Sequence, residues 1–347
     1  ALGTGTILFE GGTLQSHGDW DYINAPLHVD AGQTGTLRMG ERTEVNGALT
    51  GGGTLHVIAP STIARDYWDA PTMAFTGTIQ FSGGWSIEAR INGGDFNGFD
   101  NATLHLDNEM IRFRCNTGGN TVRIGALTGT ASGVLSGSTY GGNVTLEIGG
   151  KNLDTTFPGT IGDEERATTL KKVGTGTLTL SGSVTVSGDT LVQAGTLVVN
   201  GSVATNVAVA AGATLAGSGT ISGLVSLAAG DATIDLVTGA TNTLTLANGL
   251  SLAAGNVLRF DAGDTTDQIV MTGGVLSRTG LVSVEINSMD GLKQSQSYPL
   301  IVGAGLDSPA GFKLEGTLPA GWGAILEALD GDLVLTLTDP QTVIVIR

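Results

Sequence analysis

The fold is indicated most clearly by the stretch Lys172-Val-Gly-Thr-Gly-Thr-Leu-Thr-Leu-Ser-Gly182 and its continuation Ala194-Gly-Thr-Leu-Val-Val-Asn-Gly201. Threonine and leucine alternate in the first segment, and Leu197 and Val199 continue this alternation in the second. A strand with one apolar face has this two-residue period. The two Gly-Thr-Leu triplets begin at Gly176 and Gly195, nineteen residues apart, which suits one turn of a coil of strands.

The same pattern recurs along the chain, with most repeats spaced by eighteen to twenty-four residues and separated by glycine-rich turns. Short strands at regular intervals are also typical of sandwiches and propellers. A propeller blade, however, repeats every roughly 40 to 50 residues. Immunoglobulin-like sandwiches usually centre on a buried tryptophan, whereas the tryptophans of this chain lie mostly outside the repeats. We therefore predict an all-β, elongated parallel β-helix with short loops and two larger insertions, at residues 16–27 and 60–72.

The regularity of the repeats differs along the chain and predicts three parts. Residues 1–115 form an N-terminal β-helix part that carries the two insertions. Residues 116–280 form the most regular β-strand repeats. Residues 281–347 form C-terminal β rungs and a terminal strand, with fewer Gly-Thr-Leu units.

Residues 169–182 and 190–202 resemble the autotransporter-associated β-strand repeat of secreted bacterial proteins. Neighbouring segments, such as 155–161 and 250–260, are similar to the sequences that flank this repeat. The resemblance is close over residues 115–275 and looser on either side. It implies a right-handed parallel β-helix that is exported and exposed at the bacterial surface, and it supplies no catalytic residues.

The chain is acidic, with a formal net charge of −16 from 16 lysine and arginine residues against 32 aspartate and glutamate residues. Such a surface repels nucleic acids and anionic lipids, so we expect neither as a partner. Only 14% of the residues are charged and 40% are hydrophobic. This balance excludes an intrinsically disordered chain, because disorder requires low hydrophobicity and high charge.

Several features predict the compartment. The single cysteine, Cys115, excludes an intrachain disulfide, and we expect it to be a small buried residue. No segment approaches the roughly 18 apolar residues of a membrane helix, so we expect no transmembrane segment. The chain begins at Ala1 rather than at methionine, from which we expect a mature chain whose signal peptide has been removed. These features predict an extracellular or cell-surface protein.

Few residues suggest metal binding or catalysis. Asp261, Asp264 and Asp267 recur at intervals of three and are the candidates for a bound cation. Aspartate in a loop rich in glycine and threonine more often accepts backbone hydrogen bonds, so we expect no metal site and no cofactor. Motifs of serine hydrolases, zinc proteases and phosphate-binding loops are missing from the sequence. We therefore expect no enzymatic activity, and a polysaccharide-degrading enzyme is the least favoured function.

Four aromatic residues lie in the two predicted insertions, Trp20 and Tyr22 in the first and Tyr67 and Trp68 in the second. Three roles are open to them. The first is to stack on the sugar rings of a bound glycan. The second is to be buried in the protein when the insertions fold back, and the third is to form an interface between subunits.

A β-helix leaves unpaired strand edges at its ends, and the sequence suggests no helix or polar repeat that would cap them. We therefore predict a structural protein that assembles with itself, head to tail, into an extracellular filament or surface layer. The predicted contacts come from the first strand and, by strand exchange, from the last: Thr4, Ile7, Phe9, Val343, Ile344, Val345 and Ile346. The alternative is a monomeric surface adhesin that binds glycans through the two insertions.

Overall fold

The computed structural model describes residues 5–16, 20–40, 42–58, 64–67, 73–83, 86–91, 96–115, 119–237, 241–264, 266–288, 291–293, 296–316 and 323–338. The chain divides into two compact units, residues 1–191 and residues 192–347. Throughout the described residues the regular structure is β-strand, and the strands are numbered β1 to β40 along the chain. The predicted division into three parts stays a prediction.

The first unit contains strands β1 to β22. Their bounds are Ile7–Phe9, Thr13–Gln15, Asp21–Ile23, Leu27–Val29, Thr34–Arg38, Thr43–Val45, Leu49–Gly51, Thr54–Ile58, Ala64–Tyr67, Met73–Phe75, Thr78–Ser82, Ser86–Ile91, Phe96–Asp107, Met110–Cys115, Asn120–Gly129, Val134–Gly141, Val144–Ile148, Thr155–Phe157, Thr160–Gly162, Thr168–Lys172, Thr177–Leu180 and Ser183–Thr185. Strand β23 (Thr190–Val192) spans the boundary between the units.

The second unit contains strands β24 to β40. Their bounds are Thr196–Val199, Ser202–Val203, Val207–Val209, Thr214–Ala216, Thr220–Ile221, Val225–Leu227, Thr233–Asp235, Thr243–Leu246, Leu250–Leu252, Val257–Phe260, Gln268–Met271, Leu276–Arg278, Val282–Ile286, Ser297–Val302, Phe312–Glu315, Gly323–Leu329 and Asp332–Thr338.

Three sheets dominate the first unit, and successive strands of the chain enter them in turn. Sheet A has the order β1-β4-β7-β10, sheet B the order β2-β5-β8-β11-β13-β15-β17-β20, and sheet C the order β3-β6-β9-β12-β14-β16-β19-β22. Neighbouring strands are parallel and are joined across the other sheets rather than by hairpins, as in the pairing of Leu146 with Leu170. This arrangement is a parallel β-solenoid and confirms the predicted fold class.

The second unit is built in the same way. Sheet D has the order β24-β27-β30-β33-β36-β38, and two further ladders have the orders β26-β29-β32-β35 and β25-β28-β31-β34-β37-β40-β39. The parallel pattern stops in the last of these ladders, because β40 pairs antiparallel with both β37 and β39.

The core follows from the alternation of apolar and polar residues. Leu178 and Leu180 are buried, and Thr177 and Thr179, which alternate with them, are half-buried. Leu197 and Val199 are likewise buried in the second unit. The predicted inward and outward faces of both segments are therefore confirmed. Stacked parallel strands lie about 4.8 Å apart, so each inward side chain packs on its equivalents in neighbouring coils.

The segments that the sequence suggested as insertions each contribute a strand to the solenoid. Strand β3 (Asp21–Ile23) pairs with β6, and β6 pairs with β9 (Ala64–Tyr67), all in sheet C. These strands are short, and their polar and aromatic residues obscure the Gly-Thr-Leu pattern. The consequence is that Tyr22 and Tyr67 lie on strands of one sheet.

Gly182 is required by the close approach of two neighbouring turns. A Cβ atom at this position would overlap the backbone carbonyl oxygen of Gly159. We expect Gly182→Ala to lower the free energy of unfolding by about 1 to 3 kcal/mol, because a backbone atom cannot move aside as a side chain can. The matched control is Gly52→Ala, since a Cβ atom there has ordinary contacts. Equal midpoints of urea unfolding for the two variants would contradict this account.

Candidate functional site

The outer face of sheet C in the first unit carries two rows of charged and aromatic residues. The first row consists of Arg65, Glu88 and Arg112, which are in register on β9, β12 and β14. The second row is in register across five neighbouring strands and consists of Tyr22, Glu44, Tyr67, Arg90 and Arg114. We call these rows, together with Trp20, Arg42 and Tyr140, the arginine–tyrosine face.

The local sequence explains why the described side chains of this face point outward. In β14, Ile111 and Phe113 are fully buried, so the intervening Arg112 and the following Arg114 lie on the opposite side of the strand. In β12, Ile87 and Ala89 flank Glu88 in the same manner. Strand alternation therefore places these charged groups together although they are far apart in sequence.

Glu88 lies at the centre of the face and is only 5% exposed. Its Oε2 atom is 3.7 Å from a terminal nitrogen of Arg112, and its Oε1 atom is 3.9 Å from a terminal nitrogen of Arg114. Thr139 donates a hydrogen bond of 3.1 Å to the same carboxylate. The Nε atom of Arg112 is buried and has no hydrogen-bond partner among the described residues. The two guanidinium groups thus hold one carboxylate between them.

Aromatic rings lie beside the arginines. The guanidinium of Arg42 stacks over the ring of Trp20 at 4.8 Å, and that of Arg114 stacks over the ring of Tyr140 at 4.6 Å. Such stacking holds a guanidinium in place while leaving its edge free for hydrogen bonds. Trp20 and Tyr22 are 52% and 53% exposed, so these aromatic residues are available on the surface.

The face is basic within an acidic chain. It contains five of the 16 lysine and arginine residues, Arg42, Arg65, Arg90, Arg112 and Arg114, against the two acids Glu44 and Glu88. It also contains three of the four tyrosines. Glu164 borders it, where its carboxylate accepts a hydrogen bond of 3.0 Å from Ser136. The average repulsion of anions that the net charge predicts therefore does not describe this part of the surface.

The sequence-predicted residues are distributed as follows. Tyr22 and Tyr67 are in register on β3 and β9 of sheet C with Glu44 on β6 between them, and Trp20 directly precedes β3. Trp68 lies outside the described residues. Of the predicted assembly residues, Phe9 is buried in β1 and Ile7 is half-buried. The others lie outside the described residues: Thr4, Val343, Ile344, Val345 and Ile346.

Two of the three aspartates considered for cation binding are occupied by backbone hydrogen bonds. Asp261 accepts the amide hydrogen of Ser288 at 3.0 Å, and Asp267 accepts those of Asn242 and Asp261 at 2.8 and 2.7 Å. Burial raises the pKa of Asp267, and these two amide hydrogen bonds oppose the rise. Within the part of the chain that the structure describes, no three histidine, cysteine or acidic residues are grouped to hold a metal ion.

Replacing Asp267 tests its structural role. Asp267→Asn keeps the size but leaves one carbonyl oxygen for two amide donors, so one buried donor loses its partner. We expect the free energy of unfolding to fall by about 1 to 3 kcal/mol. The exposed Asp264 provides the control. Asp264→Asn is expected to change the free energy of unfolding by less than about 0.5 kcal/mol. Equal effects in thermal unfolding would contradict the assignment.

A separate groove of about 650 Å³ lies on sheet D in the second unit. Asp235, Arg259, Glu285 and Glu315 are in register along it. Arg259 donates to Glu285 at 2.7 Å and lies 3.4 Å from Asp235. The hydrogen bond to Glu285 is the main reason that the pKa of Arg259 is raised. These ion pairs neutralise only part of the acidic charge, so the groove stays acidic although most of its charged side chains have a partner.

The sequence analysis did not identify the arginines of sheet C, because about 22 to 25 residues separate those of one coil from those of the next. These spacings match the length of one coil and are the signal that could have found them. The register is exact for Arg90 and Arg114, whereas Arg65 is in register with Glu88 rather than with Arg90.

Comparisons with known proteins agree with the fold. The described residues include no helix that is suited to crossing a membrane. Residues 170–199 match the model of the passenger-associated-transport-repeat family. A search of curated proteins finds no significant match. The predicted resemblance is confirmed, and the repeat together with the solenoid indicates a passenger-like secreted protein with an extracellular location. The chain thus carries, at residues 170–199, the passenger-associated transport repeat within a parallel β-solenoid.

Proposed function

We propose that this passenger-like protein binds an acidic polysaccharide on the arginine–tyrosine face. The observation that supports the proposal is the register of sheet C, which collects arginines and exposed aromatic residues from successive coils on one surface. Six strands, β3 to β16, contribute to this surface, and at about 4.8 Å per strand it extends for about 24 Å. That length suits a polymer rather than a small molecule.

The arginines and the aromatic residues of the face match the two parts of an acidic sugar, which are its charged group and its ring. A guanidinium group presents two parallel N–H donors that match a carboxylate or sulfate. Aromatic rings such as those of Trp20 and Tyr140 present apolar faces on which sugar rings stack. Because the whole chain has a net charge of −16, attraction of a polyanion is expected to be limited to basic faces such as this one, which favours a flexible single chain over a large polyanionic surface.

Binding is tested with the intact protein and soluble polymers in a calorimeter. We expect polygalacturonate to bind and neutral dextran not to bind at the same concentration. The affinity for polygalacturonate should fall steeply between 50 and 300 mM NaCl, because exposed charge pairs are screened by salt. Single-stranded DNA of equal length is the competing polyanion. Tighter binding of DNA, or no binding of any acidic polysaccharide, would contradict the proposal.

The proposal is for binding without cleavage. Glu88 is held by two arginines and a threonine, an arrangement that suits a fixed carboxylate rather than a group that exchanges protons with a substrate. Prolonged incubation with polygalacturonate should therefore leave the length distribution of the polymer unchanged in size-exclusion chromatography. Shorter products would contradict this part of the proposal.

Self-assembly is a second candidate, supported by the free edge of β39 (Gly323–Leu329). This strand is seven residues long, pairs with β40, and has no second partner among the described strands. Its side chains are half-buried or exposed, and long apolar edges readily pair with other chains. We propose that head-to-tail stacking into a filament or surface layer would use such an edge.

Negative-stain microscopy of the full chain tests self-assembly. Filaments that are lost in Ile325→Lys, which adds a charge to the edge strand, would support it. Deletion of residues 341–347 tests the contribution predicted for Val343–Ile346. Monomers only in the unmodified protein, over a range of concentrations, would contradict this second candidate.

A further inference from the structure

The spacing of the arginines on the face specifies the polymer more closely, an inference that rests on the proposed function. Arg65 lies on β9, Arg90 on β12, and Arg112 and Arg114 on β14, so no strand in this series lacks an arginine. Arg42 continues the series immediately before β6, two residues before Glu44, as Arg65 lies two residues before Tyr67. Parallel strands are about 4.8 Å apart, so positions occupied by arginine recur at about this interval across the sheet.

We propose that the ligand is a polyuronate, a polysaccharide with one carboxylate on every sugar ring, which lies across the strands of sheet C. The length of one ring in a linked pyranose chain is close to the separation of two strands. A polymer with a carboxylate on every ring therefore offers one charge for each strand. A polymer with a carboxylate on every second ring leaves alternate arginines without a partner.

Glu88 indicates that the charge recognised is a carboxylate. Its side chain lies between Arg112 and Arg114, at 3.7 and 3.9 Å, and it is the intramolecular equivalent of a ligand carboxylate. Glu88 and Glu44 also lower the positive charge of the face. A densely sulfated polymer meets more repulsion from these acids than a polyuronate does, because repulsion increases with the charge of the ligand.

Oligosaccharides of defined length provide the test with the unmodified protein. We expect the affinity for oligogalacturonates to increase up to about four rings, one for each of the strands β6, β9, β12 and β14 that has an arginine on it or directly before it, and then to level off. Hyaluronan fragments of the same number of rings, with a carboxylate on every second ring, should bind at least 10-fold more weakly. Dextran sulfate should also bind more weakly than the oligogalacturonate at equal ring number.

The outcomes separate this inference from the proposed function. Equal or tighter binding of hyaluronan or dextran sulfate overturns the polyuronate assignment and leaves acidic-polysaccharide binding intact. Failure of all three acidic polymers to bind overturns both. Glu88→Gln provides an independent readout, because it removes the internal competitor. We expect it to tighten polyuronate binding by about 3-fold to 10-fold, and unchanged or weaker binding would overturn the role assigned to Glu88.

Discussion

The double variant Arg112→Ala/Arg114→Ala is expected to bind polygalacturonate about 30-fold to 100-fold more weakly than the unmodified protein. Each arginine is expected to supply a charge-assisted contact worth about 1 to 1.5 kcal/mol, and a factor of ten in affinity corresponds to about 1.4 kcal/mol. The salt dependence of the remaining binding should also be shallower, because fewer charges are paired on binding. Calorimetry at low salt measures both quantities.

Two further variants separate binding from folding. Removing both arginines takes two ion pairs away from the buried Glu88, which destabilises the fold. Arg114→Ala alone removes the longer ion pair, and Glu88→Gln/Arg112→Gln/Arg114→Gln removes the buried charge as well. Both should unfold at midpoints close to that of the unmodified protein and still bind more weakly.

Arg123 is the matched control for these substitutions. It lies on β15 in sheet B, is 34% exposed against 32% for Arg114, and is paired with Glu147 at 3.3 Å. Arg123→Ala should leave the affinity for polygalacturonate unchanged within a factor of two. Equal losses for Arg123→Ala and Arg114→Ala would indicate a diffuse electrostatic effect and contradict a defined face.

The unfolding free energy of the protein is expected to rise between pH 8 and pH 10.5 because of Lys172. This side chain is 1% exposed, and its Nζ atom donates to the carbonyl oxygens of Val173 and Gly174 at 2.8 and 3.0 Å. Burial lowers the pKa of Lys172 from 10.5 to about 8, although the nearby Asp154 opposes the shift. Below pH 8 the lysine is charged in both states, and its burial costs free energy.

The sign of the effect follows from the two pKa values. Between pH 8 and pH 10.5 the unfolded chain holds the proton more tightly than the folded protein, so stability increases with pH in this window. The increase amounts to as much as about 3 kcal/mol, since one pKa unit corresponds to about 1.4 kcal/mol. Lys172→Met removes the group, so its stability should lack this increase. Parallel pH profiles of the two proteins in urea unfolding would contradict the assignment.

The fold could be predicted from the sequence because one short pattern of residues repeats along the chain. The alternation around Leu178 and Leu197 sets which side chains face inward, and the spacing of the triplets sets the length of a coil. Each coil contacts mainly its neighbours, so a local pattern determines the global architecture. The end of the second unit was less accessible. The antiparallel pairing of β37, β40 and β39 depends on a hairpin that no longer follows the repeat.

The candidate site could be predicted from the sequence only in part. The exposed aromatic residues Trp20 and Tyr22 were recognised as possible sugar-stacking groups from their type and from their position outside the repeats. The arginines were not, because those of different coils are far apart in sequence and become neighbours only through the register of sheet C. A net charge of −16 averages over the whole chain and conceals a basic face of this size.

Protection of arginines from phenylglyoxal, followed by peptide mass spectrometry, tests the central claim most directly. The intact protein is modified with and without saturating oligogalacturonate, and the rate of modification is measured for each arginine. We expect the ligand to slow the modification of Arg42, Arg112 and Arg114 at least 5-fold and to leave Arg123 and Arg259 unchanged. Protection of Arg123 or Arg259 instead, with Arg112 and Arg114 still fully reactive, would contradict binding on the arginine–tyrosine face.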